Sequence, residues 1–127
     1  MKAILDTDVL IEERFAQPGY EIAVCTVSLA ELSFGAESAH DAVEKARRVR
    51  RNQRIRRTFA DAVPFDEAAA DMYGVVCHLV KAHGRDPRSR TIDLMIAATA
   101  AANGAVVITR NVDDFAGLEG FVEVVQG

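Results

Sequence analysis

Five short apolar runs, separated by segments long enough to be helices, constrain this chain more than any other feature. The first, Lys2–Leu5, meets a polar stop at Asp6. Residues 22–26 form a second run and residues 62–65 a third, in which Pro64 marks an edge or an end because proline cannot donate to a ladder. Residues 105–109 are rich in β-branched side chains, and residues 121–125 make the last run. Alternation of strands with helices predicts an α/β fold: a mostly parallel sheet of four to five strands with helices on both faces. No internal repeat, low-complexity tract or linker interrupts residues 1–127, so a single domain is expected.

The intervening segments read as helices with definable ends. Residues 7–15 carry Val9, Leu10 and Ile11 before a turn at Pro18-Gly19. Ser28 is a candidate N-cap, with Glu31 three residues on at capping-box spacing and a helix running to about Ala39. Residues 41–59 predict a long helix, Asp66 caps another that stops at Gly84, and Ser89 or Thr91 is expected to cap an all-round apolar helix from Ile92 to Ala102. That last helix has no polar face and belongs at the centre of the fold.

Charge is unevenly placed. The chain carries a formal net charge of −4, yet residues 45–57 contain eight basic side chains and no acid, leaving 19 acids against 7 bases elsewhere. At 100° per residue, Arg47, Arg50, Arg51, Arg54 and Arg57 fall within a third of the helix circumference, opposite Ala42, Ala46, Val49, Ile55 and Phe59. Such a stripe is a solvated face, a contact for RNA phosphates or a dock for an acidic protein segment. The two cysteines, Cys25 and Cys77, have no partner at zinc-site spacing and read as reduced, buried thiols. No apolar stretch is long enough to span a bilayer, and the first residues lack the pattern of a secretory signal, so a cytoplasmic protein is expected.

The acids that carry chemistry stand at the ends of apolar elements, where no structural need for charge exists. Asp6 ends the first strand, Glu31 and Asp93 sit near helix starts, and Asn111, Asp113 and Asp114 follow the fourth run. In open α/β sheets ligands bind beyond the carboxyl ends of the strands, which predicts convergence of these groups on one edge. Carboxylates crowded together repel unless a cation lies among them, and oxygen donors without a soft ligand favour Mg²⁺, with Mn²⁺ as a substitute.

Four blocks in order, Leu5-Asp6-Thr7-Asp8-Val9-Leu10, Ala30-Glu31-Leu32 with Gly35, Asp93-Leu94-Met95-Ile96-Ala97-Ala98-Thr99-Ala100, and Thr109-Arg110-Asn111 with Asp114-Phe115, resemble the successive motifs of PIN domains, above all the VapC toxins of bacterial toxin–antitoxin pairs. The resemblance spans almost the whole chain and implies a three-layer sandwich, Mg²⁺-dependent hydrolysis of RNA, a cognate antitoxin partner and a homodimer. It carries the family's acidic positions onto Asp6, Glu31 and Asp93, with Asp6 and Asp93 binding the metal directly and Glu31 holding it or orienting a water. The fourth acidic position falls on Asn111, with Asp113 or Asp114 nearby to restore the charge, and Asp8 stands where asparagine is common.

Two rivals use the same residues. Asp6-Thr7-Asp8 is also the Asp-x-Asp of haloacid-dehalogenase-like phosphatases, and clustered acids occur in receiver domains. Both need a lysine near the acids, and Lys2, Lys45 and Lys81 are wrongly placed for it. A PIN domain kept for binding alone is the third alternative.

Overall fold

The computed structural model describes residues 1–127 and contains one four-stranded sheet: β1 (Lys2–Leu5), β2 (Glu21–Ala23), β3 (Val106–Thr109) and β4 (Val124–Gln126). The strand order is β2-β1-β3-β4 and every pairing is parallel. Between them run helices α1 (Thr7–Ile11), α2 (Thr26–Glu37), α3 (Ala42–Thr58), α4 (Glu67–Ala82) and α5 (Thr91–Ala102), with 3-10 turns at Pro87–Arg90 and Val112–Phe115.

Side-chain alternation on the central strands explains the three layers. On β1, Ile4 points to one face while Ala3 and Leu5 point to the other; on β3, Val107 opposes Val106 and Ile108 in the same way. The Ile4 face is covered by Val76 and Val80 of α4 and by Leu94 and Ile96 of α5. The opposite face is covered by Val9 and Leu10 of α1, Leu32 of α2 and Ile55 of α3. Both faces are thus removed from water, the usual condition of a parallel sheet. α5 is the central helix its composition predicts, buried at Leu94, Ile96, Ala97, Ala98, Thr99 and Ala100. No helix is long and apolar enough to cross a membrane.

Several local expectations are corrected. α1 ends at Ile11 rather than near Phe15, because the amide of Glu13 donates to Leu10 O (2.9 Å) and that of Arg14 to Val9 O (3.1 Å), a closing pair of the Schellman type. Glu13 takes the left-handed position, φ 54°, that glycine usually fills, and its carboxylate is gripped by Arg54 of α3 at 2.8 and 3.0 Å. Ser28 is not an N-cap: α2 begins earlier, after Cys25, and the Ser28 hydroxyl lies buried 3.5 Å from Cys25 Sγ. The first amide of α2, on Thr26, is satisfied instead by Val63 O (2.9 Å).

Residues 62–65 form no strand beyond a single parallel bridge between Val63 and Cys25. Pro64 has no N–H to offer, and the Phe65 amide turns to the Thr26 hydroxyl (3.0 Å). Neither Ser89 nor Thr91 caps α5; the 3-10 turn capped by Asp86 runs straight into it, and both hydroxyls bond back into that turn, at 2.8 and 3.2 Å. The last strand starts at Val124, since the amides of Phe121 and Val122 both return to Leu118 O (3.0 Å each) in a turn.

α3 departs most from its sequence reading. Of the apolar residues opposite the arginines only Ile55 is fully buried, while Ala42 is exposed and Val49 is 38% exposed. One side chain therefore anchors seventeen residues to the core. We predict that Ile55→Ala costs about 2–4 kcal/mol in urea unfolding, as expected for a fully buried aliphatic truncated in place. Val43→Ala, on the same helix, is expected to change stability by less than about 0.5 kcal/mol.

Candidate functional site

The strand order fixes where a site can form. From β1 the chain moves outward to β2, then returns to add β3 on the other side of β1, so the direction reverses between β1 and β3. A crevice opens at such a switch point, beyond the carboxyl ends of the two strands. Asp6 follows β1 and Thr109 ends β3, and the ladder continues between them, with the Asp6 amide donating to Ile108 O (2.8 Å).

A cavity of about 420 Å³ occupies this crevice, and five carboxylates line it: Asp6, Asp8, Glu31, Asp93 and Asp114, with Asn111 beside them. They arrive from four elements: α1, α2, α5 and the 3-10 turn after β3. Asp6 is the N-cap of α1, accepting from the Thr7 amide at 2.8 Å. Glu31 lies in the second turn of α2, not the first, and makes no capping-box bond, so its carboxylate is left to face the cavity. Asp93 stands in the first turn of α5. Asn111 and Asp114 border the short turn after β3, whereas Asp113 lies outside the cavity with its carbonyl held by Arg85 (2.7 Å). Of the two acids, Asp114 alone lines the cavity with Asn111.

Three residues that sequence reasoning passed over complete the site. The Thr109 hydroxyl donates to Asp6 Oδ2 (2.8 Å) and accepts from the Asn111 amide (3.0 Å), tying the two strand ends together. Arg90 Nη1 donates to Asp114 Oδ1 (2.8 Å) and stands 4.0 Å from Asp93 Oδ2. Thr7, 6% exposed, lines the cavity with its hydroxyl bonded to nothing in the protein. Arg90 was findable from its place one helical turn before Asp93; Thr109 required knowledge that β1 and β3 pair.

The electrostatics are those of uncompensated like charge. Burial, with Asp8 and Asp93 adding to it, pushes the Asp6 carboxyl up to about 7 against the pull of the Thr109 hydroxyl. That shift is worth on the order of 4 kcal/mol against the charged form. Asp93 rises to about 6 through burial, Asp114 and Glu31, with Arg90 opposing. Two of the donor atoms are already engaged by Thr109 and Arg90, and as the side chains stand no three of these acids form a ready ligand set. The chemistry of the donors nonetheless fits a hard divalent cation: all are oxygen, they repel one another, and an orphaned hydroxyl sits among them. Cys25 is buried at the start of α2, its thiol pushed up by burial with a smaller push from Asp6, and no lysine lines the cavity.

This geometry agrees with similarity to known proteins. The PIN domain profile matches residues 3–120. Ribonuclease VapC5 of Mycobacterium tuberculosis is 34% identical over 128 residues, covering 95% of this chain and 90% of that protein. The chain belongs to the VapC family of PIN domains. Ribonuclease VapC4 of the same organism is 32% identical over 120 residues, covering 88% of each. The crystal structure of VapBC-5, a member of the VapBC family of toxin–antitoxin systems from M. tuberculosis, superposes with a TM-score of 0.80 at 32% identity, covering 98% of this chain and 96% of that one. As a PIN domain the chain has its motif acids at the mouth of the sheet, and the lysine-dependent phosphatase and receiver alternatives find no support.

The raised carboxyls make a stability prediction for the cation-free protein. A group whose folded pKa lies above its unfolded value of 3.8 contributes stability that is present below about pH 4 and lost as pH rises through about 6 to 7. In EDTA, Asp6→Asn is therefore expected to melt higher than the wild type at pH 8 and to lose that advantage progressively as pH falls to about 4. Equal melting temperatures at pH 8 would show that Asp6 carries no buried charge.

Proposed function

We propose that this chain is a divalent-metal-dependent endoribonuclease, the toxin of a type II toxin–antitoxin pair, acting in the cytoplasm on RNA and neutralised by a cognate antitoxin. The observation that carries the reading is the convergence of Asp6, Glu31, Asp93 and Asp114 with Asn111 at one switch-point crevice, in a chain whose relatives are named ribonucleases. Mg²⁺, or Mn²⁺ in its place, would be held by Asp6 and Asp93 with help from Glu31. There it would lower the pKa of a water and offset charge on the phosphate under attack.

The protein's own groups have distinct parts in this scheme. Asp6 is locked in position by the Thr7 amide and Thr109, so its geometry is fixed before substrate arrives. Asp93 rides on the most buried helix, which keeps its carboxylate from drifting. Glu31, free of helix-capping duty, accepts a hydrogen bond from the attacking water and orients it. Asn111 offers a carbonyl oxygen in place of a fourth acid, and Asp114 supplies the charge that the amide lacks once Arg90 releases it. The Thr7 hydroxyl has a free donor for a water or a phosphate oxygen in the cavity. No side chain need form a covalent bond to the substrate.

A partner is proposed on the same footing: the solved relative VapBC-5 is described as a toxin–antitoxin system, and the chain is taken to form a homodimer held with its antitoxin. The arginines of α3 are offered as contacts for RNA or for that antitoxin. Arg47, Arg51 and Arg54 line a cavity beside the acids, while Arg50 and Arg57 line neither and are exposed. Purified free of any partner, the chain is predicted to cleave total RNA with Mg²⁺ and to stop in EDTA. Asp93→Asn should abolish cleavage, at least about a thousandfold, with an unchanged circular dichroism spectrum. Undiminished cleavage by that variant would remove the acids from the mechanism.

A further inference from the structure

The segment between α4 and α5, residues 83–90, sends two arginines to the 3-10 turn that follows β3. Arg85 Nη1 donates to Asp113 O at 2.7 Å and Arg90 Nη1 to Asp114 Oδ1 at 2.8 Å, so adjacent residues of that turn are held from one side. The two grips differ in kind. Arg85 holds a backbone carbonyl of a residue outside the acid cavity. Arg90 holds a carboxylate that lines the cavity and stands 4.0 Å from a second one, Asp93 Oδ2. By contrast, Asp6 and Asp8 are met only by hydroxyl and backbone amide groups.

Arg90 stands where a helix does not favour it. It is the N-cap of α5, with φ −132° and ψ 28°, and its side chain makes no capping bond. An N-cap residue normally offers an oxygen to a free helix amide, and a positive charge there opposes the helix macrodipole. The start of α5 therefore gains nothing from arginine, and what the side chain contributes is its reach to two acids. That side chain is 36% exposed and does not itself line the cavity, so its guanidinium can leave the acids for water without crossing the site.

We propose that Arg90 is a built-in competitor of the divalent cation: its guanidinium offsets Asp114 and Asp93 in the metal-free chain and gives up their oxygens when the ion binds, while Arg85 keeps the turn in place. The inference rests on the divalent-metal reading above and adds to it the residue that sets how much cation the site requires. A guanidinium and a divalent ion on the same carboxylate repel each other, so each lowers the affinity for the other. A half-exposed ion pair is weak enough to be given up in this exchange. The turn does not depend on it, because the bond from Arg85 to Asp113 O remains.

Calorimetric titration of Mn²⁺ at pH 8, with melting curves in EDTA and in saturating Mn²⁺, separates an exchanging contact from a fixed strap. Arg90→Gln should bind Mn²⁺ roughly three- to tenfold more tightly than the wild type and melt roughly 2–5 °C lower in EDTA, with that gap closing in saturating Mn²⁺. Arg90→Lys keeps the charge and should stay within about threefold of the wild-type affinity. Arg85→Gln should lower both melting temperatures alike and leave the affinity unchanged. Arg51→Gln is the control for charge alone, since Arg51 lines the same cavity yet its side chain bonds only to Asn52. Its gain in affinity should be smaller than that of Arg90→Gln, and equal gains overturn the exchange. So does a melting deficit of Arg90→Gln that persists undiminished in saturating Mn²⁺, which would make Arg90 a fixed strap. A wild-type chain that binds no Mn²⁺ overturns the divalent-metal reading itself, and this inference with it.

Discussion

The pairing of β1 with β3 is the interaction on which the rest of the structure depends. It places the two most buried strands side by side, creates the reversal in strand order, and brings Asp6 within 2.8 Å of the Thr109 hydroxyl. The other polar groups of the cavity are positioned relative to that junction: Asp8 by the helix after β1, Glu31 by the helix after β2, Asp93 by the helix before β3, Asn111 and Asp114 by the turn after β3. The two faces of the sheet hold this arrangement by burying alternate side chains of the same strands, so the site's precision derives from the core.

The structure holds its like charges in place with few counter-ions. Arg90 answers Asp114 and partly Asp93, Thr109 answers Asp6, and the Arg110 amide donates to Asp8 at 3.2 and 3.3 Å. Desolvation outweighs these partners at both Asp6 and Asp93, which is why their carboxyls are raised rather than depressed. A cation entering among them gains from the repulsion it removes. The carboxyls are held together against their own repulsion, and perturbed acids of this sort are characteristic of active sites.

Much of this was legible in the sequence, and the reasons are physical. Lys2–Leu5 and the residues of β3 announce themselves as buried strands because both faces are apolar, and α5 as a central helix because it has no polar side. Asp6 and Asp93 stood out as charges on elements that needed none. Where sequence reasoning failed, a tertiary partner had displaced a local signal. Ser28 and Glu31 have capping-box spacing, but Val63 satisfies the helix start instead. Glu13 ends α1 from a left-handed position without being glycine, with Arg54, forty-one residues away, gripping its carboxylate. The pairing of Arg54 was likewise invisible, since Glu13 lies far off in the chain, whereas Glu44 stands three and four residues before Arg47 and Arg48, a helical spacing that the sequence does display.

The central claim is that the switch-point acids together form a divalent-cation site. Calorimetric titration of Mn²⁺ into the metal-free chain at pH 8 tests it most directly. The account predicts saturable binding that is lost in the Asp6→Asn, Asp93→Asn double variant while that variant stays folded. Binding of equal strength in the double variant, or none in the wild type, would contradict it.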